Sequence, residues 1–287
     1  MPLRAQEPTY ETARAAIQKR DYTAALAILR PLAEQGNPQA QSALGALYGG
    51  GLGIAVNDEL AVSWFIKAAD QGHAEAQANL GLAYTSGRGI TQNNVEAAKW
   101  FKKAADQNNA AAQYYLGDLL RNGAGVPKND IEAVDWYRKA ADQNYAPAIE
   151  ALGTMYMSGT GVPKNQTEGV KFYHQAADKN FPAALYDMGV VYLQGLSVPK
   201  DSKEALTWFH KGADQGFPMA FTALGLMSDS GEAVAKDPIE AYKWWLIAAV
   251  QGEPTAKKLL EDISKTLKPE QIDQAKKAAQ DWVKNKK

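Results

Sequence analysis

Cysteine is absent from the 287 residues, and histidine occurs three times. The first absence removes disulfides, thiolate nucleophiles, iron–sulfur clusters and cysteine zinc sites together; the second leaves few ligands for anything else. No metal and no cofactor is expected. An excess of one charge is missing too, since 31 Lys and Arg face 32 Asp and Glu for a net charge of −1. There is therefore no global attraction to nucleic acid or to an anionic membrane surface. Long apolar runs are also lacking: the longest, Trp244 to Val250, falls far short of the ~20 residues a spanning helix needs, so no transmembrane insertion is expected. The first residues, Met1 to Glu7, carry one arginine and no apolar stretch of a signal peptide. Two readings follow. The protein is cytoplasmic, or it is periplasmic or secreted and the sequence begins near the end of a signal, with Leu3-Arg4-Ala5 suiting a cleavage site. What is present, 46% hydrophobic and 9% aromatic residues, suffices for a core or a continuous stack of small cores and excludes disorder.

The chain repeats itself every 36 residues: Gly36, Gly72, Asn108, Asn144, Asn180, Gly216 and Gly252 end successive segments. In the same register stand Leu44-Gly45, Leu80-Gly81, Leu116-Gly117, Leu152-Gly153, Met188-Gly189 and Leu224-Gly225, followed by the row Tyr48, Tyr84, Leu120, Tyr156, Tyr192, Ser228. The second part of each segment carries Trp64, Trp100, Trp136, Phe172, Trp208 or Trp244, each followed by another aromatic. Such a period marks a repeat architecture. Six full repeats (37–72, 73–108, 109–144, 145–180, 181–216, 217–252) are expected. An unstructured tail over 1–8 and a capping helix pair over 9–36 precede them, and capping helices over 253–287 follow.

Each repeat reads as two helices. Ala61, Trp64, Phe65, Ala68 and Ala69 fall on one face of a 3.6-residue period, as do Ala40, Leu44, Leu47 and Tyr48. Asn93-x-x-Glu96, Asn129-x-x-Glu132, Asn165-x-x-Glu168, Asp201-x-x-Glu204 and Asp237-x-x-Glu240 predict capping boxes at the second helices. The glycine after each leucine lies inside a helix, which costs ~1 kcal/mol against alanine unless close helix packing offsets it. A two-helix repeat cannot bury its aromatic face alone, so neighbours must stack. The predicted fold is all-α, a right-handed α/α superhelix with an inner and an outer wall. At its end, Pro269 opens an amphipathic helix through Ile272, Ala275, Ala279 and Trp282 or Val283.

The recurring Ala-x-x-x-Leu-Gly-x-x-Tyr-x-x-Gly-x-Gly-Val-x-x-Asp/Asn, then Glu-Ala-x-x-Trp-Tyr/Phe-x-Lys-Ala-Ala-x-Gln-Gly/Asn, resembles the Sel-one-like repeat (SLR), a relative of the tetratricopeptide repeat. The resemblance covers Asn37 to Gly252 in full and the ends in part. It implies a solenoid whose first helices line the concave wall, and a role as adaptor or assembly factor, in bacteria often in the periplasm or envelope. It also implies an alternative, an immunity or antagonist protein that occludes a secreted toxin, and a lesser one, a β-lactam-binding enzyme.

Chemistry is sparse. No Gly-Lys pair exists for a Walker-type loop. Ser197-Val198-Pro199-Lys200 spells the acylation motif of penicillin-recognising enzymes, but Ser197 stands where Gly125 and Gly161 stand in sister repeats, in a loop ahead of a helix cap. Asn165-Gln166-Thr167 is a glycosylation sequon. His174 and His210 are 36 residues apart in a basic row of the second helices, too far apart on stacked helices to share a metal. No catalytic residue is expected, and the chain is read as non-enzymatic.

The free positions of the first helices differ between repeats. The first repeat is blank, with Ser42, Ala43, Ala46 and Gly49. The third to fifth concentrate Tyr114, Tyr115, Asp118, Arg121, Glu150, Met157, Tyr186, Asp187, Val190 and Leu193. Tyrosine, arginine and exposed aliphatics beside carboxylates compose a protein-binding hot spot. A monomer that binds a protein or peptide is expected, with Tyr114, Tyr115, Tyr186 and Leu193 as apolar anchors and Asp118, Arg121, Glu150 and Asp187 fixing register.

Overall fold

A computed structural model of the chain describes residues 9–286. The tail expected over 1–8, the Leu3-Arg4-Ala5 triplet and Lys287 lie outside the described residues. Those described form sixteen helices and no strand. A first pair, α1 (Tyr10–Gln18) and α2 (Tyr22–Glu34), is followed by α3 (Pro38–Gly50) with α4 (Asp58–Asp70), α5 (Ala74–Ser86) with α6 (Asn94–Asp106), and α7 (Ala110–Asn122) with α8 (Asp130–Asp142). Then come α9 (Ala146–Ser158) with α10 (Gln166–Ala177), α11 (Pro182–Gln194) with α12 (Ser202–Asp214), and α13 (Pro218–Ser230) with α14 (Pro238–Val250). The chain closes with α15 (Pro254–Ser264) and α16 (Pro269–Asn285).

The helices fall into two compact halves that divide between Tyr145 and Ala146. Each half is a solenoid of helix pairs: the two helices of a pair pack along each other, and the second packs on the first helix of the next pair. The Leu-Gly pairs explain how close the helices come. A Cβ on Gly45, Gly81, Gly117 or Gly153 would stand 2.6–2.7 Å from a ring atom of Phe65, Phe101, Tyr137 or Tyr173. Ring burial in that space offsets the helix-interior glycine.

The expected capping boxes form only by half. Asn93, Asn129, Asn165, Asp201 and Asp237 accept the N–H of the glutamate three residues on, at 3.0–3.2 Å. The glutamate side chains do not return the bond, because each capping residue's own N–H already donates to a carbonyl at the end of the preceding helix: Asn93 to Tyr84, Asn129 to Leu120, Asn165 to Tyr156, Asp201 to Tyr192, Asp237 to Ser228. Glu96 and Glu168 instead meet lysines one turn on, Lys99 at 2.6 Å and Lys171 at 2.9 Å, while Glu132 accepts from the Asn129 side-chain amide at 3.1 Å and the Trp136 indole at 3.3 Å.

In the N-terminal half, neighbouring repeats are also joined by a ladder of amides. Buried Gln41, Gln77 and Gln113 donate to the carbonyls of Ala33, Ala69 and Ala105 at 3.0–3.2 Å. Their own side-chain oxygens accept at 2.8 Å from Gln71, Gln107 and Gln143. In the C-terminal half Ile149, Leu185 and Phe221 hold the same register and are buried. There α16 lays Ala275 and Ala279 on the core, and the Trp282 ring meets Phe221 at 5.1 Å and Trp244 at 5.7 Å.

Candidate functional site

The ten residues expected to bind a partner are all half-buried on first helices. They gather into two clusters, one in each half. In the N-terminal half, Tyr115 stacks on Phe101 with ring centres 5.3 Å apart, and Tyr114 meets the edge of Tyr115 at 5.2 Å. Tyr114 also lies 5.8 Å from Tyr137 and 5.7 Å from Tyr145. One turn on, Asp118 accepts a hydrogen bond from the Tyr137 hydroxyl at 2.6 Å and faces Arg121 at 3.6 Å; the two charged side chains are 26% and 34% exposed. Burial, then the Asp118 carboxylate, holds the Tyr137 hydroxyl well above its ordinary value, so it remains a donor. Tyr145 is likewise raised by burial and then by Tyr115, to which it is hydrogen-bonded. Beside Tyr115 and Asp118 a cavity of about 310 Å³ opens over Phe101 and Leu119.

In the C-terminal half, Thr154 donates to Glu150 at 2.8 Å and lies 3.0 Å from the Tyr173 hydroxyl. Asp187 is hydrogen-bonded to Glu150, and burial, then that neighbouring carboxylate, pushes Asp187 up to about 8. Two carboxyls in one poorly hydrated place cannot both ionise easily, so at neutral pH the pair keeps a proton. Tyr186 sits next to them against Phe209 at 5.6 Å and Phe217 at 5.7 Å. The aliphatic residues are less free than expected. Val190 and Leu193 pack on the C-terminal core. Met157 lies over Gly169, where a Cβ would stand 2.7 Å from its side chain. They serve helix packing as much as surface.

Tyr137, Tyr145, Thr154 and Tyr173 also belong to these clusters, beyond the ten residues expected. Tyr145 carried a signal: it stands in the row of Asn37, His73 and Asn109, whose side chains cap the first helices, so an aromatic there had to serve something else.

The basic row of the second helices is engaged with its own chain. The amino groups of Lys67, Lys103, Lys139 and Lys211 lie 3.7–4.0 Å from the ring centres of Trp64, Trp100, Trp136 and Trp208. His174 contacts Asp178 at 3.1 Å, and burial lowers the pKa of His210, whose ring meets the edge of Trp244. Ser197 sits in left-handed backbone at φ 57°, while Lys200 points to Glu232 at 2.9 Å; the two do not form a nucleophile and base. Asn165 of the sequon uses its side chain to cap α10. Among the described residues no group of three His, Asp or Glu is placed to hold a metal, and no helix is long and apolar enough to cross a membrane.

The Sel1 repeat family matches the chain over residues 15–37, 38–73, 74–109, 110–145, 146–181, 182–217 and 219–253. Among solved structures, a Sel1 repeat protein from Oxalobacter formigenes is 37% identical over 83% of this chain and 96% of that chain, with a TM-score of 0.78. A protective antigen of uropathogenic Escherichia coli displaying an SLR fold is 32% identical over 96% of this chain, which spans 60% of that chain, with a TM-score of 0.66. An immunity protein from Pseudomonas aeruginosa shares the fold at 22% identity over 74% of this chain and 81% of that chain, with a TM-score of 0.52. Among curated proteins there is no match.

Proposed function

The chain belongs to the Sel1 repeat family, and on that premise we propose that it is a non-enzymatic scaffold whose first-helix faces bind a protein or peptide. The observation that carries this reading is the cluster of Tyr114, Tyr115, Asp118 and Arg121 beside its cavity. The repeat frame itself is made of Ala, Leu, Gly and buried aromatics. These four positions are not part of that frame, yet they bring together two rings, a carboxylate and a guanidinium, all half open to solvent. Rings held against Phe101 and Tyr145 lose little freedom on binding, and a carboxylate with a nearby guanidinium supplies directional contacts at the edge. Glu150, Asp187 and Tyr186 offer a second such surface in the C-terminal half.

The test is capture of partners from the source organism by wild type, by Arg121→Glu, and by the triple variant Tyr114→Ala/Asp118→Ala/Tyr186→Ala, after each is shown to keep its helical circular dichroism. Loss of a specific partner by the triple variant, with weakening by Arg121→Glu, supports the first-helix faces. Full retention by both overturns them. The antagonist reading uses the same faces and is separated by affinity: one cognate effector bound one-to-one at about nanomolar Kd marks an immunity protein, and several short peptides at about micromolar Kd mark an adaptor.

A further inference from the structure

Four full repeats carry a tyrosine two residues before the end of their first helix, Tyr48, Tyr84, Tyr156 and Tyr192, whereas the third and sixth have Leu120 and Ser228. The backbone at this position is the same in all six, its carbonyl accepting the N–H of the residue that caps the second helix at 2.8–3.0 Å. In three of these repeats the tyrosine lies with the repeat's own aromatic. Tyr156 stacks on Phe172 at 5.5 Å, and Tyr48 and Tyr84 join Trp64 and Trp100 at the margins of their cores. Where it is missing, a cavity opens. One of about 880 Å³ includes Leu116, Leu120 and Val126 in its lining; a smaller one of about 220 Å³ includes Leu224, Ser228 and Val234, the same positions three repeats later.

The larger cavity has a charged mouth of Lys99, Lys102, Lys103 and Lys128 with Glu96 and Glu132; Lys102 pairs with Asp106 at 2.6 Å and Lys103 lies over the Trp100 ring at 3.8 Å. Lys99 pairs with Glu96 at 2.6 Å and Lys128 with Asp130 at 3.4 Å, both with lysines 61% exposed. Exposed pairs of this kind are worth little in water, so these lysines can turn to a new anion at small cost. Val95, 49% exposed, adds an apolar lip.

We propose that the Leu120 cavity receives an aromatic side chain from a partner polypeptide, flanked there by acidic residues, so that the ring lies between Leu120 of the third repeat and Trp100 of the second. A buried ring gains from apolar area and from contact with the Trp100 ring in the lining, and the flanking carboxylates meet the lysines. Its lining contains neither Tyr114 nor Asp118, so the first-helix proposal and this one fail separately.

The peptide acetyl-Asp-Tyr-Asp-amide, titrated into ¹⁵N-labelled protein, is expected to shift the Trp100 indole N–H signal saturably. Replacing its tyrosine by alanine is expected to weaken binding roughly tenfold or more. Replacing its aspartates by lysine weakens it several-fold, and N-acetyl-tyrosinamide binds more weakly than the peptide. Leu120→Tyr should fill the cavity from within, keep or raise Tm and abolish the shift, and the surface change Val95→Glu should weaken binding by charge repulsion. No shift, an alanine peptide that binds as well, or an unchanged response in folded Leu120→Tyr overturns the proposal. So does N-acetyl-tyrosinamide binding as tightly as the peptide, which would assign the cavity to a free small aromatic.

Discussion

The two halves of the chain keep one 36-residue register by different physics. In the N-terminal half, Gln41, Gln77 and Gln113 tie each repeat to the preceding one by bonds to the carbonyls of Ala33, Ala69 and Ala105, and Asn37, His73 and Asn109 cap the first helices with their side chains. In the C-terminal half Ile149, Leu185 and Phe221 fill the same places by volume. Phe181 and Phe217 stand at the caps without a side-chain bond, helped by Pro182 and Pro218, whose fixed φ suits the first turn. The loops change one repeat later, since Gly161 keeps the left-handed glycine. A Cβ on Gly89 would overlap the Asp58 backbone, whereas Ser197 and Ala233 carry one in the corresponding left-handed position. Buried amides demand their partners and so fix register uniquely, while apolar contacts tolerate exchange among residues of similar size. The clusters that differ most from repeat to repeat sit on this shared frame without disturbing it.

That contrast can be broken at several points, and Gly89→Ala is expected to do most. Left-handed strain and overlap with Asp58 together should cost about 2–4 kcal/mol in chemical denaturation; a loss below about 1 kcal/mol would mean the loop seat is soft. Gln77→Leu, which removes the side-chain bond to the Ala69 carbonyl and one rung of the ladder, should cost about 1–3 kcal/mol. The C-terminal counterpart Leu185→Gln has Gln215 in the register of the missing rung, so its loss should be the smaller of the two if the ladder is transferable. Tyr137→Phe removes the donor to Asp118 and should cost about 1–2 kcal/mol, less than a rung because Asp118 keeps Arg121 and some water.

Asp187 gives a signature of its own. Its folded pKa is raised from the ordinary carboxylate range to about 8, so the unfolded chain releases this proton first and stability falls as pH rises across that interval. Glu150, Tyr173 and Tyr186 are the titratable neighbours. Asp187→Asn keeps the hydrogen bond without the ionisation. Its Tm should therefore gain on wild type progressively between about pH 5 and pH 8 and converge with it near pH 4; parallel curves would show the pair to be hydrated. The smallest effect is expected at the other loop, where Ala233→Gly relieves a left-handed alanine at φ 67° and should stabilise by at most about 1 kcal/mol.

Helix content, pairing and the terminal amphipathic helix were legible because six copies of one pattern fix the apolar faces, and Trp282 rather than Val283 turned inward. The capping glutamates were misread because a sequence shows the box but not the carbonyls of Tyr84 or Tyr156 that claim the capping amides first. The glutamine row was visible, yet its partners lie 30 residues on or in the backbone, where no local pattern points. Among site residues, Tyr114, Tyr115, Asp118 and Arg121 share one helix, which their spacing in the sequence already shows. Tyr137 and Tyr173 escaped notice because they read as frame aromatics, and only packing shows that their hydroxyls reach Asp118 and Thr154. Val190 and Leu193 looked free because helical spacing alone does not show how far a neighbouring helix covers a residue.

The most direct test of the first-helix faces is site-specific photocrosslinking in the source organism, with benzoylphenylalanine replacing Tyr114 on α7 in one strain and Lys67 on α4 in another. A discrete protein adduct from position 114 and none from position 67 is the predicted result. An adduct from position 67 with none from position 114 would place the working surface on the second helices and contradict the account.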